Sequence, residues 1–87
     1  MLVARSNLFE KKFARLPKVL QILVQARVNR FAVNPFDPLL NNHPLRGKYL
    51  GCRSINLTGD LRAIYKPVSE NSVYFLTLGT HHELYGS

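Results

Sequence analysis

The chain has 87 residues, 46% hydrophobic and 20% charged, a composition that folds around one core instead of staying disordered. One cysteine, Cys52, excludes an internal disulfide framework and a zinc-finger spacing, no apolar run approaches the ~20 residues that span a bilayer, and the start MLVARSNLFEKK lacks the order of a signal peptide. Lys and Arg total 12 against 5 acids, net +7, so the reading is one domain over 1–87, reduced and cytoplasmic, with no membrane contact and an attraction for polyanions or acidic partners.

LVAR at the start forms a short strand. Ser6 or Asn7 caps a following helix, with Glu10 three places after Asn7 as in a capping box. Phe9, Phe13 and Leu16 then recur on one helical face. Pro17 opens a second helix that runs to about Val33. Its stripe is Leu16, Leu20, Leu23, Val24, Val28 and Phe31, at a period of 3.6. Arg27 falls inside that stripe; either its stem packs with the head reaching out, or its charge pairs across the helix–sheet interface. NPFDPLLNNHP, with three prolines and three asparagines, is a loop that closes the helical half.

The remainder reads as strands. YLGCRSINL alternates Tyr49, Arg53, Ile55 and Leu57 on one face with Leu50, Cys52, Ser54 and Asn56 on the other. Thr58-Gly59-Asp60 turns the chain into LRAIYK, and the two segments make a hairpin. Pro67 to Asn71 is the next turn, SVYFLTLG the next strand, and THHELYGS a short polar tail. The class is α+β: two N-terminal helices packed on a small twisted antiparallel sheet, with the first strand as an addition.

The positive charge is concentrated in two stretches. Residues 1–33 carry seven bases against one acid, and residues 43–66 five against one. Motifs for metal binding and phosphate loops are absent. In extended chain the adjacent His81 and His82 point opposite ways, which makes a poor pair of ligands. Cys52 reads as a small packed residue, not a nucleophile. The remaining constellation suits cleavage of RNA through the ribose 2′-OH. That reaction needs a proton acceptor, a proton donor and a stabiliser of the extra charge on phosphate. Histidine serves either proton role, and arginine presents a fixed fork to phosphate oxygens. His43, His81, Asp60, Arg62, Arg46 and Lys48 lie in loops and strand ends of the C-terminal half. Arg53 is a further basic candidate on a strand. Tyr49, Tyr65, Tyr74 and Tyr85 are interleaved with them, as aromatic platforms for unstacked bases would be. Composition and spacing stop at a basic α+β domain with RNA as one candidate ligand.

The order of motifs goes further. NPFDPLLNNHPLRGKYLGCRSINLTGDLRAIYK followed by VYFLTLGTHHELYG resembles the RelE/ParE superfamily of toxins from bacterial toxin–antitoxin systems, closest to the RelE/StbE and YafQ-like branches. The likeness runs from residue 7 to 86. It implies two helices on a twisted antiparallel sheet, and ribosome-dependent cleavage of messenger RNA in the A site without a metal or other cofactor. It also implies a cognate antitoxin as partner, with operator DNA reached through that antitoxin. By the same resemblance, His81 matches a proton donor, and Tyr85 a C-terminal aromatic that touches substrate or assists proton transfer. His43 and Asp60 match residues linked to activity, and Arg62 a phosphate-binding strand arginine. Arg46 and Lys48 match basic residues that meet the RNA backbone, and Arg53 joins them as an RNA-binding candidate. Asn56 stands where YafQ-like members carry a second histidine, and Leu61 where they often carry an aromatic. The base role then falls to Asp60 or His43. ParE-type relatives, which bind DNA gyrase, and a catalytically weak toxin acting through antitoxin binding and autorepression are the alternatives within the same fold.

Overall fold

The structure, a computed structural model, describes residues 1–86. Strand β1 (Leu2–Arg5) leads into helices α1 (Asn7–Ala14) and α2 (Lys18–Val33). Strands β2 (His43–Pro44), β3 (Arg53–Asn56), β4 (Leu61–Ser69) and β5 (Ser72–Thr80) follow, and helix α3 (His81–Tyr85) closes the described chain. The sheet order is β1-β5-β4-β3-β2. All neighbours pair antiparallel except β1 and β5, which are parallel. The α+β reading is therefore right, but the sheet is not wholly antiparallel. The segment after β1 folds into both helices before the chain returns, and that crossover permits a parallel pair. No helix among the described residues is long and apolar enough to cross a membrane.

Helices α1 and α2 cover one face of the sheet. Phe9, Phe31, Tyr65 and Phe75 form the centre of that layer, all buried. The Phe75 ring lies 5.5 Å from Phe9, 5.3 Å from Phe31 and 5.6 Å from Tyr65, in tilted and edge arrangements that aromatic quadrupoles favour. Val24 and Val28 fill in from α2, while Leu16 and Leu20 pack at its margin. Leu23, expected in the stripe, is exposed beside Val19 and Ile22; it sits about 100° round the helix from Val24 and cannot share its burial. Arg27 takes the reaching option, with Nη1 donating to the Leu39 carbonyl at 3.4 Å.

The polar cap of α1 also holds the sheet. Ser6, not Asn7, is the N-cap: its hydroxyl accepts from the Phe9 N–H at 3.0 Å. The same hydroxyl donates to the Leu76 carbonyl. Leu76 is the extra residue of a bulge, because Ile64 pairs with Thr77 while the next residue, Tyr65, pairs with Phe75. A bulge leaves a residue without its ladder partner, and Ser6 supplies one. Glu10 is released from capping and pairs with Arg5 at 2.9 Å.

Three further boundaries depart from the sequence reading. The strand expected from Tyr49 begins only at Arg53. Residues Gly47–Tyr49 form a 3-10 turn, and Gly51 adopts φ +90°, which a side chain would strain. Strand β4 continues through Pro67 to Ser69, so the turn is shorter than Pro67–Asn71. The polar tail is helix α3. Inside the loop, Asp37 caps a 3-10 turn over Pro38–Leu40 and pairs with Arg30 at 2.9 Å.

Replacing Ser6 by alanine removes a helix cap and leaves the Leu76 carbonyl without its donor. Each loss is worth about 1 kcal/mol, so urea unfolding of Ser6→Ala is expected to show a loss of about 1–3 kcal/mol relative to the parent.

Candidate active site

The face of the sheet turned away from α1 and α2 carries the site. In the β pleat, Ile55 and Ala63 point to the helices, and Ser54, Asn56, Arg62 and Ile64 point the other way. Ile64, Cys52 and Leu84 form a small second core there, with Leu45, Tyr49, Leu76 and Tyr85 packed around it. Helix α3 folds back onto this face because the chain offers it room. A Cβ on Gly79 would sit 3.3 Å from Glu83 Oε1 and 3.4 Å from the Leu84 side chain.

A cleft of about 240 Å³ opens here, lined by His43, Leu45, Ser54, Arg62, His81 and Tyr85. Four of the eight sequence candidates thus meet in one place, from strand β2, the start of β4 and helix α3. Next to it lies a larger recess of about 400 Å³, whose walls include Arg46, Lys48, Tyr49 and again Tyr85. Tyr85 is the shared wall. Its ring meets Tyr49 edge-on at 6.2 Å, and the Lys48 ammonium sits 5.1 Å from the Tyr49 ring centre.

His43 and Arg62 are oriented by main-chain carbonyls. His43 Nδ1 lies 2.8 Å from the Asn41 carbonyl oxygen. A carbonyl only accepts, so Nδ1 carries the proton, and Nε2 of the neutral ring holds the lone pair. Asn41 presents that carbonyl from a left-handed conformation, φ 46°. Arg62 donates from Nη1 to the carbonyls of Thr58, Gly59 and Leu61 at 3.1–3.3 Å. One corner of the guanidinium is thereby fixed to the hairpin turn. Nε and Nη2, the other edge of the fork, have no protein acceptor among the described residues. His81 and Tyr85 lie one turn apart on α3, with ring centres 4.8 Å apart.

The remaining candidates lie elsewhere. Asp60 is on the exposed turn and is not part of the cleft lining. Arg53 belongs to the helix-facing side of β3. Its Nε donates to Asn42 Oδ1 at 2.7 Å, and its guanidinium lies 5.3 Å from the Phe36 ring centre. Of the tyrosines, Tyr65 is in the main core, with its hydroxyl accepting from Asn42 Nδ2 at 2.7 Å. Tyr74 lies on β5, far along the sheet beside β1. Cys52 is packed, as read. Among the described residues no group of three or more His, Cys, Asp or Glu side chains is placed to hold a metal ion.

The sequence matches no protein-family model and no curated protein. Solved structures do match. YafQ from E. coli strain BL21(DE3) superposes with TM-score 0.77 at 23% identity, over 97% of this chain and 97% of that one. A YoeB/ParE toxin from Agrobacterium tumefaciens gives 0.75 at 18%, over 93% and 99%. A chain of the E. coli DinJ–YafQ complex gives 0.66 at 28%, over 97% of each. The chain has the RelE/YafQ-like toxin fold. Its structural neighbours are toxins of toxin–antitoxin systems.

Within that fold, helix α3 is the element the sequence reading passed over, and its signal was present. Thr80-His81-His82-Glu83 is a capping box: the Thr80 hydroxyl accepts from the Glu83 N–H at 3.1 Å, and Glu83 accepts from the Thr80 N–H at 2.8 Å. His81 and His82 are therefore successive positions on a helix, about 100° apart, not opposite sides of an extended tail. The Thr80 backbone N–H, with its hydroxyl, holds the Glu83 pKa below the ordinary 4.5. A carboxylate whose folded pKa is lowered stabilises the fold fully above its unfolded pKa, and loses that contribution as pH falls through the folded one. Acidification below pH 4.5 is accordingly expected to loosen α3 before the rest of the molecule, read as faster amide exchange at Leu84 and shifts of the Tyr85 ring by NMR. Glu83→Ala should show the loosened state already at neutral pH, with that titration gone.

Proposed function

We propose that this protein is the toxin of a type II toxin–antitoxin system, an endoribonuclease that cuts messenger RNA in the ribosomal A site by acid–base chemistry. The observation that carries the reading is the meeting of two imidazoles, a guanidinium edge and a phenol in one cleft of about 240 Å³. His43 Nε2 takes the 2′-OH proton as that oxygen attacks the adjacent phosphorus. Arg62, through Nε and Nη2, binds the non-bridging oxygens where negative charge builds. His81, on the other wall, gives a proton to the departing 5′ oxygen. The products are a 2′,3′-cyclic phosphate and a free 5′ hydroxyl, with the proton count balanced by the two histidines. Tyr85 assists beside His81.

The choice of His43 over Asp60 as base follows from position, since His43 lines the cleft and its tautomer leaves a basic nitrogen, whereas Asp60 lies on the exposed turn. Asn56 cannot move a proton, and the scheme does not ask it to. Arg46 and Lys48 hold the RNA backbone in the neighbouring recess, and Tyr49 supplies a ring for a base. Arg53, engaged with Asn42 and Phe36, takes no part. A gyrase-binding role would leave the convergence of His43, His81 and Arg62 without a use.

The partner is an antitoxin, as DinJ is to YafQ in the complexes that share this fold, and operator DNA is reached through it. The surface offered is α1 and α2, where seven bases face one acid over residues 1–33 and Val19, Ile22 and Leu23 are exposed. An amphipathic, acidic segment fits both features.

Removing a general acid or base costs ~10²–10⁴ in rate. Purified His81→Ala and His43→Ala are each expected to cut messages on translating ribosomes slower by that factor. Cutting at the parental rate by both variants would overturn the proposal.

A further inference from the structure

Ser54 lies on the floor of the cleft, 1% exposed, and its hydroxyl has no hydrogen-bond partner. The Tyr85 hydroxyl, also buried and in the same lining, has none either. A buried hydroxyl that is cut off from water and unpaired costs stability. Two of them beside one cleft are a liability for the free protein, and alanine and phenylalanine would fill the same space without it. Such a liability is kept where a ligand completes the bonds.

The surroundings define the ligand. Ser54 pairs in register with His43 on β2, and its neighbour on the same face of β3, Asn56, pairs with Arg62 on β4. In register Ser54 sits between His43 on β2 and Ile64 on β4, and Arg62 lines the same cleft one step along the sheet, so an anion or a strong acceptor suits the space. His43 and His81, which line the cleft with it, are exposed, so the cleft is open to solvent at its mouth.

We infer that Ser54 is a substrate-binding residue, whose hydroxyl donates to a non-bridging oxygen of the phosphate held by Arg62. The inference rests on the phosphodiester reading of the cleft, and it adds a neutral donor to the guanidinium in the same lining. The phosphate is then held by two donors, with its free faces left to the two histidines. Serine serves here better than a third cation, because a neutral donor leaves the neighbouring imidazoles without added positive charge.

The test compares parent, Ser54→Ala and Ser54→Thr by three measurements: melting temperature, inorganic phosphate binding followed by NMR, and message cleavage on ribosomes. Loss of a hydrogen bond to a charged group is expected to weaken phosphate binding and slow cleavage roughly tenfold to a hundredfold in Ser54→Ala. Its melting temperature should stay level or rise, since the hydroxyl satisfies nothing in the free fold. Ser54→Thr, which keeps the hydroxyl, should recover much of the binding. A lowered melting temperature in Ser54→Ala would show that the hydroxyl serves the fold, and parental phosphate affinity would show that it serves packing; either overturns the inference. If the parent itself cuts no message, the nuclease reading fails alone, and phosphate affinity still decides the role of Ser54.

Discussion

The two-sidedness of the central hairpin governs everything else in this molecule. Strands β3 and β4 each alternate, so Ile55, Ala63 and Tyr65 are given to the helices and Ser54, Asn56, Arg62 and Ile64 to the opposite face. Burial of the first set against Phe9, Phe31 and Phe75 locks the register, because a slip of one residue would exchange the faces. With the register locked, the polar set has no choice but to face outward beneath α3. The hydrophobic layer on one side thereby positions the candidate site on the other.

Strand β5 needs a correction to obey the same rule. Phe75 and Thr77 are two apart and would share a face in a regular strand, yet Phe75 belongs to the main core and Thr77 pairs beside Ile64. The bulge at Leu76 supplies the half-step. Its spare carbonyl is taken by Ser6, so one hydroxyl links the start of α1 to the irregularity that keeps both faces of the sheet consistent. Beyond the bulge, Gly79 lets the chain turn closely enough for α3 to lie on the second face.

The cleft side chains are held by main-chain atoms more than by one another. Asn41 orients His43, three carbonyls hold Arg62, and the Thr80–Glu83 box starts the helix that carries His81 and Tyr85. Donors fixed in this way would need little reorganisation if charge developed on a phosphate in the cleft, as the proposed cleavage requires. It also explains how a sheet this small can support a site: each functional group borrows rigidity from a turn or cap next to it.

Much of this was legible in the chain before any coordinates. The helical stripe of Val24, Val28 and Phe31, the Thr58–Asp60 turn and the alternation of RSIN depend on neighbours within a few residues, and such local periodicities survive in any context. The basic segments and the grouping of His43, Arg62 and His81 as candidates came from residue chemistry and motif order. Helix α3 was equally local, in Thr80 and Glu83, but was hidden by the polarity of its residues. What tertiary structure alone decided was company. That Arg53 meets Asn42, that Asp60 stays outside the cleft, and that the Ser54 hydroxyl finds no partner are matters of pleat, bulge and loop path. Those are set by contacts between residues well beyond one helical turn or hairpin, 11 apart for Asn42 and Arg53, 23 for Asn42 and Tyr65 and 70 for Ser6 and Leu76, and no local pattern encodes such pairings.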